Sequence, residues 1–294
     1  MGKVNLSKKL GRQRQQLLQY NGTIFPSSHG IYILGPILMR SLNKLEAIID
    51  AKMSHLGAQK CLLPFLGSKN LWETSGRWSE MCDILFRVKS HSGNEFCLQP
   101  THEEEITSFV SRLNLPNSIL PLLLYQISTK FRDEIRPKNG LLRTKEFIMK
   151  DLYSFHSDIT CLKKTYHDVC NVYESLLQDL GLSYIKALAN AGSVGGSVSH
   201  EFHITSNIGE DTLLICERLI LLIAALFIKD ATLEPTKTFR RFLRLHLNVS
   251  TRIALPILRR HLICFHFKVG HCFILNDTYS KPFNARHFSS GVYR

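Results

Sequence analysis

The segment KFRDEIRPKNGLLRTKEFIMKD, Lys130–Asp151, restricts the fold of this chain more than any other stretch. Two runs that alternate polar with apolar flank IRPKNG, where Pro137 and the Asn139–Gly140 pair are strong turn signals. The pattern predicts an antiparallel hairpin. In its first arm, period two puts Gln126, Ser128, Lys130, Arg132 and Glu134 on one face and Ile127, Thr129 and Phe131 on the other. The polar face is expected toward solvent, as the floor of a polar ligand site or as the wet side of an ordinary strand. On the return arm Arg143, Phe147 and Asp151 keep one phase. Arg132 brings a planar fork of donors that matches a phosphate bidentately. Glu134 could accept from an exocyclic amine, and Arg143 could hold the far end of a triphosphate. Phe147 could stack on a purine, a contact worth about 1–3 kcal/mol per base in nucleic-acid systems. Asp151 could orient an arginine or a metal-bound water. The expected ligand is a nucleoside triphosphate.

Residues 36–56 read as an amphipathic helix, with Leu38, Leu42, Leu45, Ile49, Met53 and Leu56 at helical spacing, Pro36 in the first turn and Gly57 at the end. AQKCLLP follows as a short strand, and Gly76 marks a loop between Trp72 and Trp78. Residues 158–181 form a second helix, capped by Asp158 and ended by Gly181. LSYIKALA reads as a strand, and AGSVGGSVSHEFHI as a glycine-rich turn entering another. Long helices and hairpin-joined strands indicate an α+β fold on a largely antiparallel sheet.

Two further clusters carry polar chemistry. In PTHEEE, Thr101 and Glu104 have the spacing of a capping box, which leaves Thr101 and Glu103 to share an ammonium or iminium group at the helix mouth. In GGSVSHEF, Ser199 and His200 are adjacent in a strand and point to opposite faces, which argues against an acyl-transfer triad with Glu201. Neither G-x-x-x-x-G-K-[ST] nor G-x-G-x-x-G occurs.

The net charge of +13 is unevenly spread: residues 217–294 hold 13 basic against 4 acidic side chains, residues 1–216 hold 24 against 20. The eight cysteines form no C-x-x-C pair or zinc-like cluster, and free thiols in a reducing compartment are expected. The longest apolar run, Leu219–Ile228, is half the roughly 20 residues that a membrane-spanning helix needs. The first twenty residues contain five basic side chains and no acid, the composition of a mitochondrial presequence or of a solvated arm.

The motifs LW..SGRW, PTHEEEIT, KFRDE.RP..GLLR..EF.MKD and GGSVSHEF…IGED resemble those of class II aminoacyl-tRNA synthetases, specifically the prolyl group of bacterial and mitochondrial type. The resemblance runs from about Leu17 to Cys216. Helix 36–56 with GAQKCLLP is similar to the first class motif, at a dimer interface. FRDE followed by RTKEFIMKD is similar to the second. The resemblance implies an antiparallel sheet flanked by helices, incomplete here, and a homodimer working in the mitochondrial matrix, with the cytoplasm as alternative. It implies an ATP-dependent ligase that joins proline to tRNA(Pro), with Mg2+ bridging phosphates and no membrane partner. Arg132 would bind the α-phosphate and the substrate carboxylate, Glu134 the adenine amine, Arg143 the γ-phosphate, and Phe147 the adenine face, with Asp151 in the same ATP site. Thr101 and Glu103 would bind the imino group of proline, and His200 and Glu201 would lie near the amino-acid pocket.

Residues 1–216 are thus expected to be a catalytic core with the first two motifs only. Residues 217–294 lack the Gly-x-Gly-x-Gly-x-x-Arg of a third motif and read as a divergent basic tail, either a substitute segment or an RNA-contacting extension. The alternative reading of the whole is an inactive class II-like fragment that dimerises or binds RNA.

Overall fold

The computed structural model describes residues 13, 15–113, 115–137, 140–189, 192–206, 209, 211–216, 226–227 and 261–283, with backbone alone for 211–216, 226–227 and 261–267. Asn139 of the expected turn and most of the apolar run 219–228 lie outside them. The chain forms two compact units, Lys9–Val172 with Leu275–Arg294, and Tyr173–Ile274 with Met1–Lys8.

The larger unit opens with hairpin β1 (Ile24–Ser28) and β2 (Ile31–Leu34), then α1 (Pro36–His55). Pro36 sits in the first turn of α1, and Gly57 takes φ 80° just past its end, as expected. The anticipated stripe is the inward one, with Met53 fully buried and its companions half-buried. After β3 (Gln59–Lys60) come β4 (Leu66–Ser68), α2 (Lys69–Thr74), α3 (Arg77–Glu80), β5 (Phe86–Lys89) and β6 (Glu95–Leu98). Strands β4, β6 and β5 make one antiparallel sheet over a core of Trp72, Trp78, Met81, Leu85 and Cys97. Gly76, at φ 78°, makes the left-handed turn between α2 and α3, which seats both tryptophans and Arg77 in the interior.

Helix α4 (Glu103–Arg112) leads to the predicted hairpin, β7 (Leu122–Phe131) and β8 (Glu146–Phe155). Gln126 faces Asp151 and Lys130 faces Phe147. The hairpin departs from the sequence pattern in two ways. The strand pair ends sooner than the alternation, so Arg132, Glu134 and Arg143 lie beyond it. Arg132 N–H still reaches Lys145 O at 2.9 Å, but Asp133 N–H turns to Ile84 O and Lys145 N–H to Gly30 O, which parts the arms. The polar face of β7 is also the buried one: Gln126, Ser128 and Lys130 are inside, while Ile127, Thr129 and Phe131 are half-buried. Last comes α5 (Ile159–Asp179). Asp158 Oδ1 accepts from the Thr160 and Cys161 amides at 2.9 Å, and Gly181 follows at φ 66°, both as expected.

The smaller unit is a closed barrel of β9 (Tyr184–Ala189), β10 (Val198–Thr205), β11 (Asp211–Cys216), β12 (Leu226–Phe227) and β13 (His261–Ile274), in the order β10-β13-β11-β12-β9. The tail therefore supplies a fourteen-residue strand that pairs antiparallel with both β10 and β11. Its pairing with β10 slips between Phe202 and His203, which face Gly270 and Lys268 and leave Val269 as a bulge.

Candidate active site

In the larger unit, sequence-adjacent carboxylates meet a cation that sequence reasoning missed. Glu104 does not close a capping box on Thr101. The α4 N-cap is His102, without a side-chain cap bond. Glu104 instead points inward, fully buried, with Oε1 2.9 Å from Arg77 Nη1 and 2.7 Å from Ser75 Oγ. An ion pair to a residue 27 positions upstream outcompetes the local cap. The same Arg77 Nη1 lies 3.1 Å from Glu103 Oε2, which also accepts from Thr101 Oγ1. Thr101 and Glu103 are thus brought together as expected.

The Arg77 guanidinium, 3% exposed, sits between the rings of Trp72 and Tyr279, 5.0 and 5.6 Å from their centroids. Burial alone would weaken its hold on the proton; Glu103 and Glu104 outweigh that and raise its pKa. Burial likewise raises the Glu104 carboxyl, against the pull of Arg77. Burial, then the Glu103 charge, also pushes up the Tyr279 hydroxyl. Two carboxylates facing one guanidinium leave an excess of negative charge that suits a single ammonium or iminium group.

Behind this cluster the buried face of β7 meets β8. Lys130 Nζ is 2.8 Å from Asp151 Oδ1 and donates to Ser128 Oγ at 2.6 Å. Asp151 Oδ2 accepts from Gln126 Nε2 at 2.9 Å and Tyr153 OH at 2.8 Å. Asp151 therefore anchors the hairpin interior and contacts neither Arg132 nor Arg143 among the described residues. Tyr153 OH in turn accepts the His102 amide at 3.1 Å, tying the hairpin to the mouth of α4. His102 Nε2 faces Pro64 O at 2.9 Å; a carbonyl only accepts, so Nε2 carries the proton. Burial, followed by Lys130, pushes His102 down to about 4, so its 3.9 Å approach to Asp151 joins a neutral ring to a carboxylate.

Arg132 lies on the rim of this floor, its guanidinium carbon 5.3 Å from the centre of the Phe147 ring. Its Nη2 makes only a long 3.4 Å bond to Pro100 O, and its buried Nε has no partner among the described residues. Burial lowers its pKa, with Glu103 and then Glu134 opposing. Glu134 pairs loosely with Arg143, Nε to Oε2 at 3.7 Å, and Arg143 is half-exposed. Six of the expected residues thus form three contacting pairs, Thr101–Glu103, Arg132–Phe147 and Glu134–Arg143, with the Arg132 guanidinium under-bonded.

His200 and Glu201 belong to the barrel. Glu201 is buried, with Oε2 3.0 Å from His203 Nε2 and Oε1 3.0 Å from Lys268 Nζ and 3.3 Å from His271 Nδ1. Lys268 and His271 are three apart, a spacing that sends side chains of a regular strand to opposite faces. The bulge at Val269 restores the phase and lets both reach one carboxylate. Burial would raise Glu201; the His203 bond and the Lys268 charge overcome it and hold the group at about 2, against an ordinary 4.5. Burial and Lys268 lower His271 to about 4. His200 is half-buried and lowered by burial, then by Lys186. A carboxyl depressed on folding contributes stability above its unfolded pKa and loses it as pH falls through the folded value. Glu201 should therefore contribute on the order of 3 kcal/mol above about pH 4.5, lost toward pH 2. In urea melts between pH 2.5 and 6, Glu201→Gln should flatten that acid limb; an unchanged slope would refute the assignment.

A model of the tRNA synthetase class II core domain (G, H, P, S and T) matches residues 86–291, more than half of the chain. The chain belongs to the class II aminoacyl-tRNA synthetases. The synthetase match runs past Cys216, where the motif-level resemblance ends. The chain is 40% identical over 277 residues to a probable mitochondrial proline--tRNA ligase of Rattus norvegicus, covering 94% of this chain and 54% of that protein. It is 36% identical over 286 residues to the Schizosaccharomyces pombe protein of the same name, covering 97% and 64%. A proline--tRNA ligase of Staphylococcus haemolyticus is 45% identical over 202 residues, covering 69% and 36%. The chain thus spans from about a third to under two thirds of the length of these synthetases. A crystal structure of prolyl-tRNA synthetase from Cryptosporidium parvum complexed with halofuginone and AMPPNP aligns at TM-score 0.66 and 16% identity, over 93% of this chain and 45% of that one. At that identity the likeness shows the synthetase fold alone.

Proposed function

We propose that this chain is the catalytic part of a proline--tRNA ligase. The observation that carries the reading is the pairing, within one unit, of an ammonium-seeking Thr101–Glu103 cluster with Arg132 over Phe147, a phosphate-seeking guanidinium over an aromatic platform. The named relatives support proline as substrate, and ATP follows from the reaction class. Thr101 and Glu103 hold the imino group of proline. Arg132 draws its carboxylate and the α-phosphate together, Phe147 stacks on adenine, Glu134 accepts from the adenine amine, and Arg143 meets the γ-phosphate. The proline carboxylate attacks the α-phosphate, pyrophosphate departs, and prolyl-adenylate forms. The terminal ribose hydroxyl of tRNA(Pro) then takes the prolyl group and AMP leaves. No side chain need act as nucleophile; positioning and charge stabilisation suffice.

Among the described residues no three His, Cys, Asp or Glu gather to hold a metal ion. Mg2+ needs few protein ligands where substrate phosphates supply the rest, so it would enter with ATP and neutralise charge on the phosphates. The exposed residues of β2 and α1, Ile33 and Ile37 foremost, suit a homodimer contact. The mitochondrial relatives and the basic amino terminus favour the matrix.

Proline-dependent ATP–pyrophosphate exchange tests the reading. Exchange stimulated by proline and not by other amino acids is expected; its absence in folded protein would favour the inactive fragment.

A further inference from the structure

Where β8 ends and α5 begins, a thiol and an imidazole from different elements meet outside the site described above. His156 Nδ1 lies 3.3 Å from Cys161 Sγ, and His156 Nε2 lies 2.9 Å from Ser154 Oγ. Cys161 occupies the first turn of a 21-residue helix, so its sulfur is held beside the end of β8. Asp158, the charged group that faces His156, spends one carboxylate oxygen on the amides of Thr160 and Cys161. Both partners are half-buried, and Ser154 beside them is exposed, so a small reagent has access.

We propose that Cys161 and His156 form a reactive thiol–imidazole pair, a site of S-thiolation by low-molecular-weight disulfides. Burial lowers the imidazole pKa, against Asp158, which keeps the ring neutral and able to accept a proton at neutral pH. In the tautomer whose Nε2–H donates to Ser154 Oγ, the lone pair stands at Nδ1, facing the sulfur. Nδ1 takes the thiol proton as Sγ attacks one sulfur of glutathione disulfide. The disulfide bond breaks, a mixed disulfide forms on Cys161, and the departing thiolate takes the proton. Of the other described thiols, burial pushes Cys97 up to about 12 and raises Cys61, exposed Cys82 lies against the Asp83 carboxylate, and Cys170 and Cys272 are buried.

The test treats the full chain with limiting iodoacetamide at pH 7, and separately with glutathione disulfide, reading each cysteine by peptide mass spectrometry. Cys161 should react at least about tenfold faster than Cys82 with both reagents, because His156 stands in place to take its proton as the sulfur attacks. His156→Asn should bring Cys161 down to the Cys82 rate. Labelling of buried Cys97 reports any unfolding, and Ser154→Ala, a milder change, should then slow Cys161 severalfold. Equal rates at Cys161 and Cys82, no mixed disulfide with glutathione, or no effect of either variant would each overturn the proposal.

Discussion

Arg132→Ala is expected to lower kcat/KM for proline-dependent pyrophosphate exchange by about 10²–10³-fold, the usual cost of removing one donor aimed at developing charge. The same change should leave unfolding free energy near wild type. Its Nε has no partner among the described residues, and its best bond is 3.4 Å long, so the folded state loses little with it. Arg132→Lys keeps the charge but not the fork and should recover only part of the rate. Exchange kinetics and urea melts on one preparation separate the two effects. Wild-type exchange by the alanine variant would remove Arg132 from the phosphate.

Arg77 should behave in the opposite way. Arg77→Met leaves Glu103 and a fully buried Glu104 facing each other without a counter-charge and should destabilise the larger unit by about 3–5 kcal/mol. Adding Glu104→Gln should restore part of that loss, because the second change removes the stranded charge. Additive effects in the double variant would show that the guanidinium does not stabilise through Glu104, leaving Glu103 and the rings of Trp72 and Tyr279. Each arginine thus has its own signature: one change is read in turnover, the other in melting.

The two arginines were not equally visible in the sequence. Arg132, Phe147, Thr101 and Glu103 stood out because turn residues and two-residue periodicity are local signals, and the structure brings them into contacting pairs. Helix 36–56 and the Asp158 cap were legible for the same reason. Arg77 was not: nothing in SGRW shows that Gly76 turns the guanidinium inward, and its partners lie 26 and 27 residues away. The capping-box reading of Glu104 failed through that same long-range pair. The polar face of β7 looked like a wet surface, because alternation shows which residues share a side and not which side faces inward. In β13 the bulge breaks the period, so HLICFHFKVGHCFI passes as part of a divergent basic tail although it closes a barrel.

That bulge also acts as a pawl on the last strand. With Val269 set aside, Glu201 stands opposite His271 and Lys268 opposite His203. Sliding β13 by a single position would set Gly270 or Cys272 against the carboxylate, stranding a negative group in the interior with no cation to answer it. Hydrogen bonds between backbones tolerate such slippage; this acid does not. The barrel consequently admits its final stave at one notch.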